Sequence, residues 1–246
     1  MTICPKCAFA TEDVSASCPR CGLIFAKYHP NTPVPEPPED ADAAAPRTTL
    51  ARLILPSEPQ SPATLAWRAP LLLVLAVWGA RLILAGPAGN AAGESWLHLV
   101  NLPFHEAGHV FLRPFGHFLM TLGGTLGQLA VPTVCLLTLL FKTRDPFGAA
   151  VGLWWLGENF LDIAPYVNDA RAGALPLLGG NTGRDAPFGF HDWEYLLTRT
   201  HLLPYDHLLA WLCHLAGALL IAAAVTWGAA ILLRRRPSRQ SARHRL

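Results

Sequence analysis

From Phe104 to Val110 the chain reads Phe104-His105-Glu106-Ala107-Gly108-His109-Val110, an H-E-x-x-H motif inside an apolar segment. On a helix, two histidines four positions apart lie one turn apart on the same face, so both imidazoles reach one Zn²⁺. Glu106 beside them is placed to polarise a water and carry its proton to a leaving group, the recurring apparatus of zinc hydrolases. The competing explanation is a chance match, or polar residues capping a buried helix. The surroundings favour chemistry, because two imidazoles and a carboxylate in a membrane-like run are costly to desolvate unless paired or coordinating.

Two histidines leave a catalytic zinc short of a ligand. Glu158, Asp162 and Asp169, spaced by four and seven in a later apolar segment, share one helical stripe that is expected to face away from lipid. Asp162 and Asp169 rank nearly level as third ligand, Glu158 follows, and His191 is an outside candidate. Carboxylates left over would orient a histidine from behind. The alternative is pairing with Arg81, Arg113 or Arg171.

A second metal signature opens the chain. Cys4-Pro-Lys-Cys7 and Cys18-Pro-Arg-Cys21 form two C-x-x-C knuckles spaced so that four thiolates converge on one ion. In a reducing cytoplasm two disulfides are disfavoured, and a segment this short depends on the metal for its shape. The expected cofactors are therefore two Zn²⁺ ions, one at each site.

The elements that must position the H-E-x-x-H motif are those of a membrane protein. Of 246 residues, 52% are hydrophobic and 15% charged, with a mean hydropathy of +0.30, richer in apolar residues than soluble domains. A net charge of +2 gives no reason to expect a nucleic-acid partner. Residues 1–28 have no apolar h-region, so the N-terminus is expected to stay cytoplasmic. Four stretches, 69–86, 118–141, 147–168 and 208–233, suit the roughly 20 residues of a spanning helix. The motif segment, 96–115, carries His98, Pro103, His105, Glu106, His109 and Arg113 and spans poorly. Six arginines fall within the last thirteen residues, Arg234 onward, with no acid among them. Four crossings keep that tail inside and a fifth would expel it, so the motif helix is expected to be re-entrant from the outer side.

The expected fold is an all-α polytopic membrane protein, with about four transmembrane helices, a membrane-embedded HEAGH helix and a small N-terminal zinc ribbon. Its parts are the ribbon at 1–28, a Pro/Ala/acid linker and juxtamembrane segment at 29–66, the membrane domain at 67–233 and a basic cytoplasmic tail at 234–246. The expected location is the bacterial inner membrane, with both termini cytoplasmic.

Two resemblances add to this. The run Cys-Pro-Arg-Cys-Gly-Leu-Ile-Phe-Ala-Lys-Tyr is similar to small zinc ribbons that precede many bacterial membrane proteins and serve as protein- or nucleic-acid-binding modules. The HEAGH motif, followed by Asn159, Pro165 and Asp169, resembles the site-2-protease-like membrane zinc metallopeptidases, which pair an HExxH helix with an aspartate from an N-x-x-P...D-G segment. That resemblance implies an intramembrane peptidase with His105, His109 and Asp169 as ligands and Glu106 as the catalytic glutamate. The interval from Asn159 to Pro165 is longer than in that family, and Ala170 stands where the family has glycine. A looser similarity to gluzincins, through Glu158-x-x-x-Asp162, would make Glu158 the ligand. The run from Phe104 to Trp193 also resembles bacterial HEAGH membrane proteins that bring no known activity.

Thr121-Leu122-Gly123-Gly124-Thr125-Leu126-Gly127-Gln128 reads first as a surface for close helix contact, and second as backbone that receives a substrate strand. In His191-Asp192-Trp193, the tryptophan suggests an interfacial anchor and the histidine a lid residue, a hydrogen-bond donor or a fourth metal contact. The expected function is a membrane-embedded zinc peptidase, with a membrane protein or peptide as substrate, the lipid bilayer as surroundings and a cytosolic protein partner at the ribbon. The alternative is a noncatalytic scaffold with a structural metal.

Overall fold

The computed structural model describes residues 2–7, 9–11, 16–25, 53–56 and 60–234. Most of the Pro-rich linker, and the arginine tail beyond Arg234, lie outside the described residues. The chain divides into two units, Met1–Arg47 and Thr48–Leu246.

In the first unit, β1 (Thr2–Ile3) pairs antiparallel with β2 (Ala10–Thr11), and an isolated bridge joins Ser17 to Ile24. The knuckles turn back on themselves through backbone bonds, Cys4 N–H to the carbonyl of Phe9 at 2.9 Å in the first, and Cys18 N–H to that of Leu23 at 2.8 Å with Gly22 N–H to that of Cys18 at 2.9 Å in the second.

The second unit is helical. Its helices are α1 (Pro62–Ala85), α2 (Trp96–Leu112), α3 (His117–Leu137), α4 (Pro146–Asn168), α5 (Asp192–Arg199) and α6 (Asp206–Leu232). Local sequence sets the boundaries. Ser61 and Ser95 cap α1 and α2 by accepting from the amides of Thr64 and Leu97, which satisfies donors that an open helix end leaves bare. Between α2 and α3, Gly116 adopts φ 96°, a conformation that other residues resist. The chain thereby reverses in a few residues and lays α3 back along α2.

Three helical segments, Pro62–Ala85, His117–Lys142 and Leu203–Leu232, are long and apolar enough to cross a membrane. Their surfaces agree: Leu73, Val77 and Leu84 on α1 and Leu212, Leu215 and Leu219 on α6 are all more than half exposed, a density of bare leucine that water disfavours and lipid does not. The fourth expected span, 147–168, is a helix of sufficient length, but it is not among these three. Glu158 and Asp162 lower its apolar character, and its role is central: α4 is the most enclosed of the helices, with Trp154, Leu161, Ile163, Ala164 and Val167 in the core. It packs chiefly against α6, where Gly157 and Gly217 meet backbone to backbone. Trp154 fastens it to α1 by donating to the carbonyl of Leu75 at 2.9 Å. The motif helix α2 has 17 residues, about 25 Å of axis against a hydrocarbon core of about 30 Å.

The glycine-rich run on α3 is a contact surface. A methyl group at Gly108 would collide with the backbone carbonyl of Gly123, and one at Gly127 with that of Phe104. Only bare backbone permits so close an approach. Gly124 faces the motif, where a Cβ would meet the Nε2 atoms of both His105 and His109.

Candidate metal centre

In the ribbon, the Sγ atoms of Cys4, Cys7, Cys18 and Cys21 all lie within 4.8 Å of one another, and none is in a disulfide. Cys4 approaches Cys21 at 3.6 Å and Cys7 approaches Cys18 at 3.7 Å. A tetrahedron with metal–sulfur bonds of about 2.3 Å has edges of about 3.8 Å. The thiols are thus spaced for one ion, as the two knuckles predict.

In the helical unit, α2 carries His105 and His109 on one face, their rings 4.8 Å apart between centroids. Each ring is held by its Nδ1. His109 Nδ1 donates to the carbonyl of Met120 at 2.8 Å, and His105 Nδ1 donates to Gln128 Oε1 at 3.1 Å. Both acceptors come from α3, so the glycine contact that draws the helices together also fixes the tautomer of both imidazoles. With Nδ1 so engaged, each Nε2 is turned toward Asp192 and would present a lone pair to an ion once its own proton is displaced, which is how metal-binding histidines are usually oriented.

The two Nε2 atoms converge on Asp192 Oδ2, at 3.0 Å from His105 and 3.2 Å from His109. These three residues form a group able to hold a metal ion, their ligand atoms within 4.8 Å. Asp192 is the first residue of α5, which packs on α3. The preceding His191 caps that helix by accepting from the Glu194 amide at 3.2 Å. Burial pushes the Asp192 carboxyl up, but hydrogen bonds from His105 and His109 outweigh it and hold the group below the usual carboxylate range. Asp192 is therefore ionised at neutral pH and ready to ligate.

The structure does not bring the expected carboxylates to this point. Asp162 is 1% exposed and receives three donors: His98 Nδ1 at 2.9 Å, Gln128 Nε2 at 2.8 Å and Asn101 Nδ2 at 3.3 Å. It stands behind His105, one side chain removed, as the outer member of an Asp162–Gln128–His105 chain. Asp169 ends α4 and accepts from the amides of Ala174 and Leu175 at 3.0 and 2.8 Å, shaping the loop that follows. Glu158 accepts from Asn101 Nδ2 at 3.0 Å. His191 is buried with its Nε2 3.6 Å from Asp169. Of the arginines that might have paired with the α4 acids, Arg171 instead holds Asp206, at 2.7 Å.

His105, Glu106, His109 and Asp192 line one cleft of about 850 Å³. Glu106, next to the first histidine on α2, is half-buried there. Three protein ligands facing such a space leave room for a fourth, exchangeable one. In comparisons with protein-family models, curated proteins and solved structures, nothing matches the chain. The likeness to site-2-protease-like metallopeptidases rests on the motif residues alone.

The Gln128 bridge can be tested directly. Gln128→Leu keeps the volume near constant but frees His105 Nδ1 and removes one donor from Asp162. The expected result is metal affinity at the helical site lowered roughly 10–100-fold, as for other residues that orient a ligand. Competition with a chelator of known affinity measures it, and ribbon zinc serves as the internal control.

Proposed function

We propose that the protein is a membrane-embedded zinc-dependent hydrolase that cleaves peptide bonds in membrane or membrane-proximal proteins. The observation that supports it most is the paired tautomer arrangement: two imidazoles with Nδ1 engaged and Nε2 converging on Asp192, beside Glu106 in an open cleft. Zinc bound by His105, His109 and Asp192 would supply Lewis acidity toward a water and a scissile carbonyl. Glu106 takes the proton of that water and delivers it to the leaving nitrogen, the general base and acid of the reaction. Gln128 and the Met120 carbonyl keep the two imidazoles from turning.

The cleft's lining favours an amide over a phosphoester. Glu94, Glu106, Asp162 and Asp192 contribute carboxylates, and no lysine or arginine is among the lining residues. A phosphoryl group is ordinarily gripped by such cations, whereas a peptide bond is neutral. Against the scaffold reading, a purely structural zinc is closed by four protein ligands, and the helical site offers three on the wall of a cleft.

In this reading α4 crosses the bilayer with α1, α3 and α6, α2 is half-inserted from the outer side, and both termini are cytoplasmic in a bacterial inner membrane. The ribbon then faces the cytosol, where it recruits a protein partner. The deciding experiment compares purified wild type with Glu106→Gln. Equal zinc loading with turnover reduced about 10²–10⁴-fold is expected for loss of a general base. Unchanged turnover in the variant would sink the hydrolase reading.

A further inference from the structure

His98 lies seven residues before His105 on α2, on the same face and in the same cleft. Its ring is held from behind. Nδ1 lies 2.9 and 3.0 Å from the two oxygens of Asp162, and the ring stacks near that of Tyr166 at 6.2 Å, 11° from parallel. Asp162 is itself fixed by Gln128 and Asn101, so this histidine has a rigid foundation. Its Nε2 has no hydrogen-bond partner among the described residues, and its side chain is 20% exposed, open on the cleft side. Ordering a histidine so firmly while leaving one nitrogen unused is a poor arrangement for stability alone, and a suitable one for gripping something that enters.

We propose that His98, backed by Asp162, is a substrate subsite whose Nε2–H donates to a main-chain carbonyl of an extended peptide, about three residues from the scissile bond. Seven helical residues rise about 10 Å, and three residues of extended chain cover about the same distance. A carboxylate behind the ring supports a proton on both nitrogens and strengthens donation to an acceptor. The ligand chemistry is thus a neutral carbonyl oxygen on an extended chain, approaching from the N-terminal end of α2. This rests on the hydrolase reading for the position of the scissile bond, and extends it by giving the cleft a direction and a minimum occupant length.

The test uses the full-length, zinc-loaded protein and two variants. His98→Asn retains a side-chain amide able to donate to Asp162 but cannot extend into the cleft, and so keeps the buried carboxylate partnered. His98→Ala removes both functions. Two sets of fluorogenic peptides share a scissile sequence, one extended by four residues on either side and one cut to a single residue on either side. Binding to Glu106→Gln and turnover by the wild type are measured for each, together with zinc content. The expected result is that His98→Asn weakens binding and raises KM about tenfold for the long peptides, with kcat and zinc content unchanged and the short peptides unaffected. Equal losses for long and short peptides, or a change in zinc content, would assign His98 a structural role and overturn the subsite. Length-dependent binding that responds to His98 without any cleavage by the wild type would uphold the subsite and defeat the hydrolase reading. If no peptide binds, the subsite falls, and the hydrolase reading is then decided by the Glu106 comparison on other amides.

Discussion

Asp192→Ala should leave the protein with ribbon zinc only, so that metal per chain falls from two ions to one and hydrolysis disappears. The carboxylate is the only anionic member of the His105–His109–Asp192 group, and it brings the one ligand from outside α2. Without it, two imidazoles one turn apart must hold the ion alone. Replacing residues that merely orient a ligand costs roughly 10–100-fold in affinity, and removal of a ligand exceeds that. Asp192→Asn separates charge from shape, because an amide oxygen at the same place is a poorer donor, and it should lose the ion nearly as completely. Elemental analysis after gel filtration reads the outcome. Retention of both ions by Asp192→Ala would mean that another carboxylate closes the site.

The other large effect is expected at Gly108. Its α-carbon rests on the backbone of Gly123, and a single methyl group there strikes a carbonyl oxygen rather than a side chain that could turn aside. Overpacking commonly costs 1–3 kcal/mol, and a clash with backbone on both helices belongs at the top of that range or beyond it, against a total stability of about 5–15 kcal/mol. Gly108→Ala should therefore lower Tm in detergent by about 6–12 °C. It should also weaken zinc binding, since Met120 and Gln128 on α3 hold the imidazoles only while the helices stay close. The neighbouring Ala107→Gly change, which adds no volume, should cost only the helix-interior penalty of glycine, about 1 kcal/mol or roughly 2–4 °C, and leave zinc binding nearly unaffected. A Gly108→Ala protein with unaltered Tm would show that the two helices can separate at little cost.

The histidines and Glu106 were legible because a helix converts a spacing of four into one face, whatever surrounds it. The ribbon thiols were legible for a similar reason: each C-x-x-C turn is local. The glycine run likewise declared itself as a contact surface. Asp192, the third member of the group able to hold a metal, was not legible. The stripe formed by Glu158, Asp162 and Asp169 follows correctly from helical period, but period fixes only which residues share a face. It does not say how far along a neighbouring helix that face arrives. Asp162 meets α2 at His98 and Asn101, two turns short of the metal-facing nitrogens, and Asp169 reaches the helix end, where loop amides take both its oxygens. Asp192 is positioned by a loop and by the docking of an eight-residue helix, and no spacing rule covers such a step. One signal was available: His191-Asp192-Trp193 interrupts the loop with metal-binding chemistry in its aspartate as well as its histidine. The α4 segment also shows why an apolar run is not by itself a lipid-facing one. Its apolar residues are packed against α6, α3 and α1.

An ion between His105 and Asp192 would join residues 87 positions apart, a covalent-like clasp around α3 and α4. Closing so long a loop removes much of the freedom of an unfolded chain, so occupancy of the site and completion of the fold become a single event. A newly inserted chain without metal would have Asp192 held only by hydrogen bonds from two imidazoles, leaving α5 to dock through Tyr195, Leu196 and Leu197 alone. Its 169–191 loop would then be the segment that proteases and quality-control machinery meet first. Metal supply would in that way govern how long the protein survives in the membrane, before any question of turnover arises.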